Sequence, residues 1–210
     1  MEYEHSSFNP WRSIWFTPRR TIQYIIDTNP EKYVIVLAAL SGFNQALGQS
    51  ITEDGSESLG LILKLTLALF LGPLIGIIGL YIFAALTSFT GRWLGGASSS
   101  LNIRAAIAWS YVPNIASLFL WVPFLLMFGS ELANPHSPHV ATGMTPAFAI
   151  IILSLVSIVL GIWSFIIAIK CISQVQKFSI WRALANIILA GLVIAIPLLV
   201  IVMLFFGFNI

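Results

Sequence analysis

Leu192-Val193-Ile194-Ala195-Ile196, inside an almost wholly apolar run from Trp181 to Phe208, decides the fold class. A strand that spans a membrane alternates apolar and polar side chains over about ten residues, because one face meets lipid and the other the lumen. Here neighbouring residues are apolar on every side, which only a helix in lipid accommodates. An α-helix crosses a hydrocarbon core of roughly 30 Å in about 20 apolar residues. Working outward from Leu192, comparable runs extend from Tyr33 to Gln49, Leu59 to Phe89, Arg104 to Gly129 and Ala147 to Ile169. The expected fold is an all-α integral membrane protein with five transmembrane helices, preceded by an arm over residues 1–32 and forming a membrane domain over residues 33–210.

Composition agrees. Of 210 residues 58% are hydrophobic and 9% charged, against about 25% charged in a soluble domain. A single cysteine, Cys171, excludes an internal disulfide, and a formal net charge of +2 is too small for a nucleic-acid footprint. Charged residues from Glu2 to Asp27 interrupt the start of the chain, so a cleaved secretory signal is not expected.

Basic residues set the orientation, since Lys and Arg are retained on the cytoplasmic side. Arg12, Arg19, Arg20 and Lys32 precede the first span, Arg92 and Arg104 flank the second loop, and Lys170, Lys177 and Arg182 flank the fourth. All nine fall on one side if the N-terminus is cytoplasmic, whereas the opposite loops hold Glu53, Asp54, Glu57 and Glu131. An odd number of spans then puts the C-terminus outside. Lys64, the remaining cation, lies near the external end of the second span, where its stem can snorkel to the interface. That span, 31 residues long, reaches roughly 46 Å at about 1.5 Å per residue. Tilt, or an extension through Thr87, Ser88 and Thr90, is expected.

In the arm, Asn9-Pro10, Thr17-Pro18 and Asn29-Pro30 repeat a helix-start signal, a capping side chain followed by a residue without an N–H. Two short helices should lead into the first span. Trp11, Ile14 and Trp15 share one face, as do Ile22, Ile25 and Ile26, with Arg12, Arg19, Arg20, Gln23 and Asp27 on the others. Two structural placements fit, in the headgroup layer with the cations on anionic lipid or packed as a cap on the bundle, and a dedicated partner-docking arm is the functional alternative. Ser100 and Ser179 are the expected caps of the third and fifth spans, and Thr145-Pro146 the start of the fourth.

Inside the bundle, Ser41, Asn44, Gln45, Gly48 and Gln49 line the first span, Gly72, Gly76 and Gly79 the second, Ser110, Asn114 and Ser117 the third, and Ser154, Ser157, Gly161 and Ser164 the fourth. Small and weakly polar residues hold membrane helices together, and Gly72-to-Gly76 is the spacing of close backbone approach. A polar cavity lined by Asn44, Gln45, Lys64 and Asn114 is the functional alternative. Pro73, Pro113, Pro123 and Pro197 interrupt spans. No Asp, Glu or His lies deep in a span, which disfavours a proton relay. His136-x-x-His139 in a Ser-Pro-rich loop lacks a sure third ligand, so no metal is expected, and no catalytic set or phosphate loop is present. Cys171 reads either as a palmitoylation site or as a small buried residue. Ser100–Ala106 and Phe178–Leu184 echo one another, which suggests parallel repeats.

Asn9-Pro10-Trp11-Arg12-Ser13-Ile14-Trp15, continuing through Pro18-Arg19, Thr21-Ile22, Asp27 and Pro30, resembles the start of bacterial Yip1-domain proteins. Gly91-Arg92-Trp93-Leu94-Gly95-Gly96, then Arg104-Ala105 and Ala108-Trp109-Ser110-Tyr111-Val112-Pro113, is similar to that family's cytoplasmic loop and third span. The resemblance implies a five-span membrane protein without enzymatic activity or cofactor, in a bacterial cytoplasmic membrane. Eukaryotic relatives bind prenylated GTPases and assist vesicle formation, but their acidic Asp-Leu-Tyr-Gly-Pro-like segment is not visible here. The expected partners are the lipid bilayer and a protein at the cytoplasmic face, bound by Trp11, Trp15, Arg19, Arg20, Arg92 and Trp93, and a homo-oligomer is compatible with the sequence. The alternative function is a small transporter or permease component built on the polar cavity.

Overall fold

The computed structural model describes residues 8–52, 61–96, 98–132 and 144–206, and all regular structure among them is helical. The helices are α1 (Pro10–Phe16), α2 (Pro18–Thr28), α3 (Val34–Thr52), α4 (Leu61–Trp93), α5 (Ser100–Ser110), α6 (Val112–Ala116), α7 (Leu118–Leu132), α8 (Met144–Val175) and α9 (Ile180–Phe206). Among the described residues, four stretches are long and apolar enough to cross a membrane: Ile62–Trp93, Ser100–Met127, Ile151–Val175 and Ile180–Leu204. The predicted first span forms the 19-residue helix α3 but is not among the four. Its second half carries Asn44, Gln45, Gly48 and Gln49, which shortens its continuous apolar stretch.

The chain divides into two compact units. The arm unit takes the described parts of Met1–Lys32, Leu80–Ile107 and Ala168–Ile210; the Asn44 unit takes Tyr33–Gly79 and Ala108–Ile167.

In the arm unit, Asn9 caps α1 by accepting from the Trp11 N–H at 3.0 Å, and Pro10 occupies the first turn. Thr17 starts α2 differently from the expectation. Its hydroxyl turns back to the Ser13 carbonyl at 3.1 Å and caps nothing, although Pro18 stands at N1. Asn29-Pro30 starts no helix immediately: the Asn29 side chain accepts from the Glu31 N–H at 3.1 Å and makes a turn into α3. The apolar arm face is spent on protein, since Ile14 and Ile22 are 0% exposed and Ile25 3%. Packing into the arm unit is therefore the placement the structure chooses over burial in the acyl boundary.

The ends of α4 and α8 close in the same way. The Gly96 N–H reaches the Gly91 carbonyl at 2.8 Å and Gly95 N–H that of Arg92 at 3.1 Å; the Phe178 N–H reaches Ser173 at 2.9 Å and Lys177 that of Gln174 at 3.3 Å. Both are six-to-one, five-to-two helix stops, which place one residue in the left-handed region. Gly95 fills that position at φ 85°, and Lys177 fills its counterpart at φ 57°, without the advantage of glycine. Ser99 and Ser179 then cap α5 and α9 through the N–H groups of Asn102 and Arg182, at 3.3 and 3.4 Å. The cap of α5 is thus Ser99 and not Ser100, whose hydroxyl instead meets Ser88 at 3.3 Å. Aligning the two caps pairs Arg104 with Leu184 rather than Arg182, so the echo in the sequence is two residues out of structural register.

In the Asn44 unit, Gly42 of α3 lies against Gly72 and Gly76 of α4. A Cβ at Gly42 would meet the Gly72 carbonyl oxygen and stand 2.6 Å from Gly76 Cα, and one at Gly76 would stand 2.7 Å from Gly42 Cα. Ala38-x-x-x-Gly42-x-x-x-Ala46 is the partner stripe to Gly72-x-x-x-Gly76, and the two backbones touch where no side chain intervenes. Leu47, Trp121, Phe124 and Leu153 form the apolar core of this unit, with the Trp121 and Phe124 rings edge to face at 5.9 Å.

Candidate functional site

Pro113 builds the first polar site, in the Asn44 unit. A proline lacks an N–H and clashes with the preceding turn; α4, α7 and α9 carry Pro73, Pro123 and Pro197 inside them all the same, whereas Pro113 stands in the first turn of the short α6. The backbone loosens on both sides of it: the Tyr111 N–H bonds Ala108 at 3.1 Å and the Ser117 N–H bonds Asn114 at 3.1 Å, three residues back rather than four. Groups freed at such a break must find partners on neighbouring helices. Asn44 Nδ2 of α3 donates to the Asn114 carbonyl at 3.1 Å, and Ser164 Oγ of α8 accepts from the Asn114 N–H at 3.0 Å. Ser117 Oγ lies 3.0 Å from Asn44 Oδ1 and 2.7 Å from the Asn114 carbonyl, so its one proton serves either acceptor.

Of the four residues expected to line a cavity, the structure brings Asn44 and Asn114 together. Asn44 is buried with both ends of its amide in hydrogen bonds, whereas Gln45 is exposed and Lys64 half-buried, and neither joins the network. The polar stripe of α3 therefore splits, with Ser41, Asn44 and Gly48 on the inner side and Gln45 and Gln49 outside. Glu53, Asp54 and Glu57, the acids expected near Lys64, lie outside the described residues, as do His136 and His139.

A second polar site, in the arm unit, joins α4 to α9. Asn186 is 0% exposed; its Nδ2 donates to the Thr87 carbonyl at 3.1 Å and its Oδ1 accepts from Thr90 Oγ1 at 2.6 Å. Thr90 can alternatively donate to Leu86 of its own helix at 2.9 Å. Gln176 Nε2 approaches the same Thr87 carbonyl at 3.4 Å. The Gln176 amide fills the space that side chains at Gly91 and Gly96 would occupy: a Cβ at Gly91 would stand 2.9 Å from Gln176 Cδ, and one at Gly96 would overlap Gln176 Oε1 and stand 2.7 Å from Phe178 Cζ. The predicted extension of α4 through Thr87, Ser88 and Thr90 is thus a buried contact surface. Thr87 Oγ1 is buried with no hydrogen-bond partner among the described residues.

The expected partner-binding residues all belong to the arm unit. Arg19 Nη2 donates to Ser173 Oγ at 3.0 Å, which itself donates to the Phe178 carbonyl at 2.7 Å, and Gln174 Nε2 donates to Gln23 Oε1 at 3.1 Å. Those bonds fix α2 against the end of α8. Arg20 lies over the Phe8 ring at 5.6 Å from its centroid. Arg92 is exposed, Trp93 is 62% exposed and Trp11 41%, while Trp15 is half-buried. Cys171 is fully buried, its thiol directed at the Pro18 carbonyl at 3.8 Å, so it acts as a small core residue.

Asn186 and Gln176 were not among the residues singled out from the sequence. Asn186 had a signal, an amide six residues into the apolar run of α9; Gln176 had none, because its role depends on the gap between two glycines about 80 residues earlier.

Apolar helices of spanning length, joined through buried amides and bare glycine backbone, define a multi-pass helical membrane protein. The Yip1 domain profile matches residues 12–203, nearly the whole length, and the chain belongs to the Yip1 domain family. That family is not a known enzyme family. Neither the curated proteins nor the solved structures contain a match to this chain.

Proposed function

We propose that the protein is a non-enzymatic, five-span organiser of membrane partners, with α3 as the first span, the N-terminus cytoplasmic and the C-terminus outside, in a bacterial cytoplasmic membrane. The observation that carries this reading is the docked arm. Its isoleucines Ile14, Ile22 and Ile25 are buried, while Trp11, Arg12 and Arg20 remain exposed, in the same unit as Arg92 and Trp93. The one-sided distribution of basic residues supports the orientation, and membership of the Yip1 domain family supports a role without chemistry. In-cell crosslinking of the tagged chain, followed by purification in mild detergent and mass spectrometry, tests it. A stoichiometric protein partner is expected, lost when Arg19, Arg20 and Arg92 are replaced by Gln; unaltered recovery from that variant overturns the reading.

A second reading, a small transporter or permease component, is favoured by one observation, the break at Pro113, where Ser164 takes the freed Asn114 N–H and Asn44 bonds the Asn114 carbonyl. Discontinuous helices of this kind mark substrate sites in transporters. Replacing Asn44, Gln45 and Asn114 by Ala separates the two: an organiser keeps its partner, and a transporter loses its cellular phenotype.

A further inference from the structure

Three helix ends of the arm unit carry a tryptophan beside an arginine: Trp11-Arg12 at the start of α1, Arg92-Trp93 at the end of α4 and Trp181-Arg182 at the start of α9. The indoles are not core residues, with exposures of 41%, 62% and 78%. The three arginines are exposed, and Arg12, Arg92 and Arg182 form no ion pair among the described residues. Phe178 beside Gly96 joins the α4 and α8 turns, and Cys171 against Pro18 joins the start of α2 to α8, within the same unit as all three pairs.

From these positions we infer that this face binds the phosphates of anionic phospholipids, each Trp-Arg pair acting as one anchoring point. The inference rests on the reading of the face as cytoplasmic and names lipid as a partner. The chemistry is specific to the pairing. A guanidinium matches a phosphate with two parallel N–H donors, and an indole settles at headgroup level with its ring in the apolar boundary and its N–H toward water. Trp93 closes the candidate span Ile62–Trp93, and Trp181 is the second residue of Ile180–Leu204, so both indoles stand where the apolar stretches stop. An acidic protein would satisfy the guanidinium groups without requiring indoles at those two depths. The docking of Ile14, Ile22 and Ile25 into protein adds that attachment is by headgroup recognition, without insertion of α2.

The test uses the full chain in nanodiscs of zwitterionic phosphatidylcholine doped with brominated phosphatidylglycerol or brominated phosphatidylcholine, read by quenching of tryptophan fluorescence. The unmodified chain should be quenched more strongly by the anionic lipid at equal mole fraction, with the preference shrinking in 1 M salt, where the screening length is about 3 Å. Each cation near an anionic surface carries about fivefold in attachment, so the triple substitution Arg12→Gln, Arg92→Gln and Arg182→Gln should lower the preference by more than about tenfold. Equal quenching by both lipids, or a preference that the triple variant retains, overturns the inference. No protein partner is present in these discs, so a failure here is distinct from a failure to recover a partner from cells.

Discussion

Asn44 and Asn186 are both buried amides on largely apolar helices, yet Asn44 bonds the backbone at a break beside Pro113, whereas Asn186 bonds a helical carbonyl of α4 well past that helix's interior Pro73. At the break, the Asn114 N–H has lost its helical acceptor and takes Ser164 Oγ instead, so that hydroxyl replaces a bond the backbone requires, while Asn44 braces the carbonyl of the same residue, which also accepts from the Ser117 N–H. Thr87 lies within the helical stretch of α4, and Asn186 adds a bond to its carbonyl, which has a second lone pair to offer. Buried polar residues that look alike in sequence therefore serve two ends: repair of a defect, and alignment of one helix against another.

The largest effect should come from removing the bare backbone contact beside the first site. Gly42→Leu drives a side chain into Gly72 and Gly76, and a cost of about 3 kcal/mol is expected from overpacking. Denaturant titration in mixed micelles measures it, and hydrogen exchange should rise in the Asn44 unit before the arm unit; simultaneous loss in both would break the comparison. Next is Ser164→Ala, which leaves the Asn114 N–H without its acceptor and should cost about 1–3 kcal/mol, the desolvation penalty of an orphaned donor. A variant as stable as the unmodified chain would show that the break needs no repair.

Lys177→Gly should raise stability by about 1 kcal/mol, because glycine takes the left-handed position without the Cβ penalty. Unchanged thermal melting would mean the turn at Lys177 does not match the one at Gly95. The smallest effect is expected from Asn186→Leu, about 0.6 kcal/mol in the range of single interhelical bonds in membranes. Thr90 then donates to Leu86, and Gln176 still reaches the Thr87 carbonyl. A loss larger than that of Ser164→Ala would reverse the ranking of repair over alignment.

The arm shows how far local signals carry. Asn9-Pro10 gave a capped helix because a cap is satisfied within three residues, and the faces of Ile14, Ile22 and Ile25 were legible from helical spacing. Whether those faces met lipid or protein was not legible, because both are apolar. The candidate site divided along the same line. Asn44 and Asn114 stand out as amides in apolar runs, but the missing N–H does not single out Pro113, since Pro73, Pro123 and Pro197 share it and stay inside their helices. Helical spacing groups Gln45 with Asn44 on one polar face, yet α3 turns about 100° between them, so the face is wider than the contact and Gln45 is left outside.

What the sequence determined by itself is the helical, membrane-spanning class, local helix starts such as Asn9-Pro10 and Ser179, and the resemblance to the Yip1 family. The class rests on transfer energy, and the starts on hydrogen bonds closed within a few residues. Only the tertiary structure decided that Gln176 fills the gap at Gly91 and Gly96, that Asn186 meets Thr87 and Thr90, and that Gly42 is the partner of Gly72 and Gly76. In lipid, apolar surface no longer tells inside from outside, so which small or polar residues meet is fixed by distances between helices and not by the residue types themselves.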